Sequence, residues 1–155
     1  MKKMKLLNLS VLVIIITTGL LSCESDEGGN GTNISAFSIT KSHNMGQNCM
    51  ECHRQGGPGY GWFNIAGTVY DSQFTGTYPN ATIKLYTGPN GTGDAKYVVE
   101  VDGKGNFYTT ENIDFGVDLY PAVVGTNETH YMSTAITTGQ CNSCHGVSTN
   151  RIWTN

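Results

Sequence analysis

The stretch Phe63-Asn-Ile-Ala-Gly-Thr-Val-Tyr70 places large apolar side chains at Phe63, Ile65 and Val69, with smaller or polar residues between them. Alternation with a period of two predicts a β-strand and not a helix. Similar short stretches follow at residues 81–86, 96–101, 106–110, 117–124 and 129–136. Turn-forming residues separate these stretches and helical periodicity is absent from them. Residues 61–136 are therefore predicted to form an antiparallel β-sandwich.

Two local features refine this prediction. The turn Asp102-Gly-Lys-Gly105 lies between two apolar stretches and is predicted to close a β-hairpin. Pro121 lies within the stretch 117–124 and has no N–H to donate to a ladder of hydrogen bonds. The strand that contains Pro121 is therefore predicted to lie at a sheet edge.

A pentapeptide pattern occurs on each side of the predicted sandwich. The first motif is Cys49-Met-Glu-Cys-His53, and the second motif is Cys141-Asn-Ser-Cys-His145. C-x-x-C-H is the attachment sequence of c-type haem, in which both thiols add to vinyl groups and the histidine supplies the proximal nitrogen to iron. The sequence thus predicts two covalently bound haems c. Their thioether residues are Cys49, Cys52, Cys141 and Cys144, and their proximal ligands are His53 and His145.

Other uses of paired cysteines remain as alternatives. Two C-x-x-C pairs are also typical of a four-thiolate zinc site, of a redox-active dithiol or of disulfides in an oxidising compartment. None of these uses requires the histidine that follows both pairs. Two loop-rich haem segments, residues 34–60 and 137–155, are therefore expected to flank the sandwich.

The distal side of each haem needs a further ligand. Of the four histidines, His43 and His130 are left after the two motifs are assigned, and each precedes a motif. Ligation of both irons by two histidines is the first prediction. Met45 and Met132 are the alternatives, and a methionine ligand would raise the potential. The sequence does not determine which of these residues serves which haem.

The N-terminal region predicts export and lipidation. Lys2, Lys3 and Lys5 precede an apolar run to Leu21, which is typical of a signal peptide, with a retained membrane anchor as the alternative. Leu20-Leu-Ser-Cys23 resembles the bacterial lipobox, which implies a signal peptide over residues 1–22 and acylation at Cys23. Residues 23–33 are acidic and glycine-rich, which predicts a flexible tether. The protein is expected in the cell envelope as an outer-membrane lipoprotein facing the cell surface or the periplasm, bound to the membrane by its lipid.

Charge and length limit the classes of partner. The formal net charge is −3 for 155 residues, and removal of the three signal-peptide lysines leaves about −6. No basic patch is evident, so a nucleic-acid partner is not expected. The length after the signal peptide is suited to one domain.

Parts of the chain resemble known families. Ile65-Ala-Gly-Thr-Val-Tyr70, Ala81-Thr-Ile-Lys-Leu85 and Val101-Asp-Gly-Lys-Gly-Asn-Phe107 resemble the carboxypeptidase regulatory-like domain, which implies an immunoglobulin-like sandwich and no chemistry. The segment from Met132 to Gly146 is similar to the closing segment of small multihaem c-type cytochromes, which implies a small dihaem cytochrome.

The expected function is electron transfer, not catalysis, because six-coordinate haems leave no iron position for a substrate. The partners would be redox proteins or an extracellular electron acceptor. If the motifs emerge at opposite poles of the sandwich, copies of the chain could pass electrons along a homo-oligomer or filament. The alternatives are a small dihaem peroxidase or reductase with one open haem, and a surface binding module that carries structural haems.

Overall fold

The computed structural model describes residues 30–155, and this part of the chain forms a β-sandwich. Its regular structure consists of short strands and three single 3₁₀ turns at Cys49–Glu51, Pro89–Gly91 and Cys141–Ser143. The strands are β1 Ile65–Asp71, β2 Thr82–Tyr86, β3 Ala95–Glu100, β4 Asn106–Thr109, β5 Tyr120–Val124, β6 Thr129–Tyr131, β7 Gly139–Gln140 and β8 Ile152–Thr154. The mainly-β fold predicted from the alternation is confirmed.

The strands form two sheets. One sheet has the order β3-β2-β5-β6 and is antiparallel throughout. In the other sheet, β1 pairs antiparallel with β4 on one side. On its other side, β1 pairs in parallel with β7 through Ile65 and Ala66, and with β8 through Val69 to Asp71. The two short parallel strands are a departure from the wholly antiparallel prediction.

The core lies between the sheets. The inward-facing residues of both sheets form one apolar cluster, whose fully buried members include Ile65, Val69, Leu85, Phe107 and Leu119. Ile65 and Val69 are four residues apart on β1, so the period-two pattern of the opening stretch places both on the same face of the sheet. This inner face holds the sandwich together by burial of apolar surface.

Two local predictions are wrong. The turn at residues 102–105 forms, with the Gly105 N–H donating to the Asp102 carbonyl, but β3 and β4 belong to different sheets. The turn therefore carries the chain from one sheet to the other and does not close a hairpin. The strand that contains Pro121 is internal, because β5 lies between β2 and β6. Pro121 is tolerated at the end of the β5–β6 ladder, where its carbonyl accepts from the Met132 N–H.

Both ends of the described region contact the sandwich. Asn30, assigned to the tether, makes two side-chain hydrogen bonds of 2.7 Å to the backbone of Trp62. The C-terminal tail contributes β8 to the sandwich. The predicted signal peptide, the lipidation residue Cys23 and the tether as far as residue 29 lie outside the described residues. Among residues 30–155, no helix has the length and apolar character needed to cross a membrane.

Candidate haem-binding site

The two motifs fold into the same local structure. In each motif a 3₁₀ turn begins at the first cysteine, and the N–H groups of the second cysteine and the histidine both donate to the first cysteine's carbonyl. These distances are 3.3 and 3.0 Å for Cys52 and His53, and 3.3 and 3.0 Å for Cys144 and His145. Both motifs thus fold two thiols and one imidazole into a single tight turn.

The imidazoles of the two motifs are held in the same way. Nδ1 of His53 lies 3.0 Å from the Tyr60 carbonyl oxygen, and Nδ1 of His145 lies 2.7 Å from that of Asn150. A carbonyl oxygen only accepts, so Nδ1 is the donor in each of these hydrogen bonds. A hydrogen bond from Nδ1 to a carbonyl is the usual way in which proteins orient a metal-binding histidine.

The first motif lies on the outer face of the sheet that contains β1. Cys49 and Met50 pack against a small apolar cluster of Phe63, Ala66 and Tyr108. The His53 ring stacks on Phe63 with ring centroids 4.3 Å apart and planes inclined by 14°. A side chain at residue 59 would collide with His53 Nδ1, so Gly59 permits this placement. Phe63 therefore supports one face of the His53 ring.

The second motif lies at the edge of β1, between β7 and β8. Because these strands follow one another along the same edge, residues 141–151 leave the sheet and return to it. Cys141 packs over Gly67 of β1, where an added Cβ would lie 3.0 Å from the Cys141 Cβ. A side chain at position 67 would collide with the Phe107 ring and would also press on this cysteine.

A mainly apolar cavity of about 560 Å³ opens beside the second motif. This volume is in the range of about 300–1,000 Å³ typical of small-molecule and cofactor sites. Cys141, Cys144 and His145 all line the cavity, and Arg151 adds a cation. Trp153 also lines the cavity. Apolar residues from both sheets complete this part of the lining: Ile65, Ile83, Phe107, Val123 and Ile152. These residues fit a large apolar plate that carries carboxylates.

The second motif is hydrogen-bonded to the segment that precedes the first motif. Asn142, between the cysteines of the second motif, is 4% exposed and donates to the Gln47 carbonyl at 2.9 Å. Its amide also bonds to Thr68 of β1, whose backbone N–H donates to Asn142 Oδ1 at 3.2 Å and whose Oγ1 accepts from Asn142 Nδ2 at 3.1 Å. Thr68 Oγ1 in turn accepts from the Gly46 N–H at 2.9 Å. The buried Thr68 hydroxyl therefore connects the second motif to the segment before the first motif.

The candidate distal ligands lie near different motifs. The ring of His43 lies 5.9 Å from that of His53, centroid to centroid. His130 and Met132 both line the cavity of the second motif. Met45 is 46% exposed and contributes to a smaller polar pocket that His145 also lines. The structure thus brings one spare histidine to each motif, and both methionines close to the second.

The four thiols differ in their surroundings. Cys52 and Cys144 are exposed, whereas Cys49 and Cys141 are partly buried, and no disulfide joins these four residues. Loss of hydration on burial raises the pKa of Cys49, and it raises the pKa of Cys141 to about 12, with the charge of Cys49 as a smaller contribution. Because only thiolates are strong nucleophiles, the first cysteine of each motif is the less reactive one in the free chain.

Protein ligands alone do not form a metal centre in the described region. Among residues 30–155 no group of three or more His, Cys, Asp or Glu side chains is arranged to hold a metal ion. A haem differs from such a site because the porphyrin supplies four of the iron ligands and the protein adds one or two.

Sequence reasoning missed several residues of the site. Asn142 and Thr68 carry no signal in the sequence, because their hydrogen bonds depend on how the second motif is placed on β1. The sequence predicts Phe63 as part of the strand that begins the sandwich. Its stacking on His53 depends on how the chain turns back towards His53 after Gly59. Trp153 lines the cavity and belongs to β8, a strand too short for the sequence to predict.

Comparison with known proteins yields no relative for this chain: no protein family, curated protein or solved structure matches it.

Proposed function

We propose that this protein is a dihaem c-type cytochrome that transfers electrons at the cell envelope. The observation that carries the proposal is the repeated geometry of the two motifs. Both fold into the same 3₁₀ turn, and in both the histidine donates from Nδ1 to a backbone carbonyl. The two residues between the cysteines differ between the motifs, and so do the flanking residues. The hydrogen bonds that the motifs share are those that position the groups that would hold a haem.

The chain's residues would attach and orient the cofactor. Each of the four motif thiols would add across a vinyl group, forming a carbon–sulfur bond while the thiol proton passes to the neighbouring vinyl carbon. His53 and His145 would bind through Nε2, held by their Nδ1 hydrogen bonds. Haem bound at these turns supplies one-electron chemistry, with a potential set by the axial ligands and by burial.

The second motif supports the proposal through its cavity. The apolar walls would exclude water from the macrocycle, and Arg151 would pair with a propionate, a favourable partner for a guanidinium. Arg151 is also placed over the ring of Tyr70, with Cζ 4.5 Å from the centroid, which limits its freedom. At the first motif, by contrast, Cys52 is exposed.

The placement of the motifs supports transfer within one chain. Asn48 Nδ2 lies 3.3 Å from Gln140 Oε1, so the residues that precede the two motifs touch. Seven strands, β1 to β7, lie between the motifs along the chain, and the last of them pairs with the first. Two haems would therefore adjoin without a second copy. A homo-oligomer or filament remains a separate proposal, which electron microscopy of the loaded protein would test.

The sequence supports an envelope location. The predicted lipobox ending at Cys23 would attach the protein to a membrane, and the redox partners would be other proteins or an extracellular acceptor. Nucleic acid is not among the proposed partners.

The test is a haemochrome spectrum of the full chain matured in a host with c-type haem machinery. We expect two covalent haems per chain, both low-spin and both reversibly reduced. Replacement of one cysteine pair, Cys49→Ser/Cys52→Ser or Cys141→Ser/Cys144→Ser, should leave one haem. A high-spin haem that turns over peroxide would favour the enzyme alternative. Absence of covalent haem would overturn the proposal.

A further inference from the structure

Strand β6 and the residue that follows it bring two candidate iron ligands to the cavity of the second motif. His130 lies opposite Val123 in the β5–β6 ladder, and Met132 follows it by two residues, with its N–H bonded to the Pro121 carbonyl at 2.9 Å. His130, Tyr131 and Met132 all line the cavity of the second motif, and Tyr131 also packs towards Tyr86 and Gly91. His130 and Met132 are therefore both candidate ligands for a haem iron held there.

The imidazole of His130 is already engaged. Its Nε2 lies 3.1 Å from Glu128 Oε2, and its ring contacts Trp153 with centroids 3.9 Å apart. The Glu128 carboxylate therefore occupies Nε2, one of the two ring nitrogens that could bind iron. Glu128 and Trp153 together hold His130 as part of the cavity wall.

The thioether of Met132 is suited to the position that His130 leaves open. Met132 is half-buried, and it lines the cavity together with both thiols and the histidine of the second motif. Its sulfur has no proton to lose, and its unbranched side chain has three rotatable bonds with which to reach a ligand. The backbone hydrogen bond to Pro121 fixes its starting point.

The first motif has a different partner. His43 lies beside His53, and its own segment is anchored because the His43 carbonyl accepts from Asn106 Nδ2 at 3.2 Å. Asn106 is buried on β4 and also bonds to Ser42 Oγ at 3.0 Å. This pair of hydrogen bonds holds the backbone that carries His43 against the sheet.

We propose that Met132 is the distal ligand of the second haem and His43 that of the first, an inference that rests on the proposed function. One chain would then hold a bis-histidine haem and a histidine–methionine haem. Methionine ligation raises the reduction potential relative to histidine. The haem of the second motif would have the higher potential, so electrons would pass from the first motif to the second.

The test uses the oxidised, haem-loaded protein and near-infrared magnetic circular dichroism, which separates sulfur from nitrogen ligation of ferric haem. We expect the sulfur-to-iron charge-transfer band in the unmodified chain and in the Cys49→Ser/Cys52→Ser variant, which keeps only the second haem. Met132→Leu should abolish the band, whereas the matched variants His130→Gln and Met45→Leu should keep it. In a redox titration, Met132→His should lower the higher midpoint potential and leave the other unchanged.

Three results would overturn the inference. Two low-spin haems without the band in the unmodified chain would show bis-histidine ligation of both irons and leave the proposed function intact. Persistence of the band in Met132→Leu with loss in Met45→Leu would assign the ligand to Met45. Absence of covalent haem would remove the inference together with the proposed function. The first readout needs no substitution, so a variant that fails to fold does not weaken the test.

Discussion

The two motifs share a turn but not an environment. Backbone hydrogen bonds of the same lengths define both turns, and both histidines donate from Nδ1 to a carbonyl. The first motif lies on the outer face of β1 against Phe63, while the second lies at a strand edge beside a cavity of about 560 Å³. The pentapeptide thus determines how ligands are presented, and the fold determines what surrounds them.

This difference has a functional consequence if both turns hold haem. Burial and axial ligation are the main ways in which a protein adjusts the potential of a haem. A haem in the cavity would be shielded from water on more of its surface than a haem on the outer face. Two copies of one motif would then provide two unequal redox centres within one small domain.

The largest expected effect comes from removing one cysteine pair at a time. Cys141→Ser/Cys144→Ser should lower the thermal unfolding midpoint more than Cys49→Ser/Cys52→Ser, because the second haem would fill space lined by the core residues Ile65 and Phe107. Each variant should retain one haem. Equal midpoints for the two variants would contradict the contrast between a surface site and a cavity site.

A second substitution acts on the first motif alone. Phe63→Ala removes a ring that is 6% exposed and stacks on both His53 and Tyr108. We expect a loss of about 3–5 kcal/mol in the free energy of unfolding, as for other buried aromatic residues. The lower midpoint potential should shift while the higher one stays. Phe74→Ala, at a residue 40% exposed on a loop, is the control and should change stability far less.

The contact between the motifs can be weakened by Asn142→Ala. The substitution removes the bonds to Gln47 and Thr68 and leaves buried groups without partners, at a cost of about 1–3 kcal/mol in the free energy of unfolding. Denaturant unfolding measures this loss. Asn112→Ala, at an exposed residue, serves as the control. An effect no greater than that of the control would show that Asn142 does not join the motifs.

The smallest expected effect is a difference in alkylation rate between the two cysteines of each motif. In haem-free protein, iodoacetamide should modify Cys52 and Cys144 before Cys49 and Cys141, because the latter pair is partly buried and has raised pKa values. The reaction of Cys141 should keep accelerating as the pH rises from 9 towards 12, since its thiolate forms only there. Peptide mass spectrometry measures the order. Cys141 reacting first at neutral pH would contradict it.

The sequence predicted the sandwich because alternation of apolar residues is a local signal. The stretch around Ile65 and Val69 has the period of two that places one face of a strand in the core, and the structure confirms it. The edge position of Pro121 was wrong because a strand's neighbours depend on the whole topology. β7 and β8, of two and three residues, are too short to show a period at all.

The candidate site was predicted in part. The motif residues are a contiguous pattern, so their chemistry can be inferred from sequence, and this inference stays a prediction. The contact of Asn142 with Thr68 joins residues 74 apart, and the approach of His43 to His53 depends on the turns between them. The sequence names both His130 and Met132 as candidates, but it does not show the contact of His130 with Glu128.

The central claim is that one chain holds two haems side by side. The most direct test is electron paramagnetic resonance of the fully oxidised, haem-loaded protein, compared with the summed spectra of Cys49→Ser/Cys52→Ser and Cys141→Ser/Cys144→Ser. We predict that the spectrum of the unmodified protein differs from this sum at every protein concentration, because two low-spin irons in one chain interact magnetically. A spectrum equal to the sum, or one that departs from it only at high concentration, would contradict the claim.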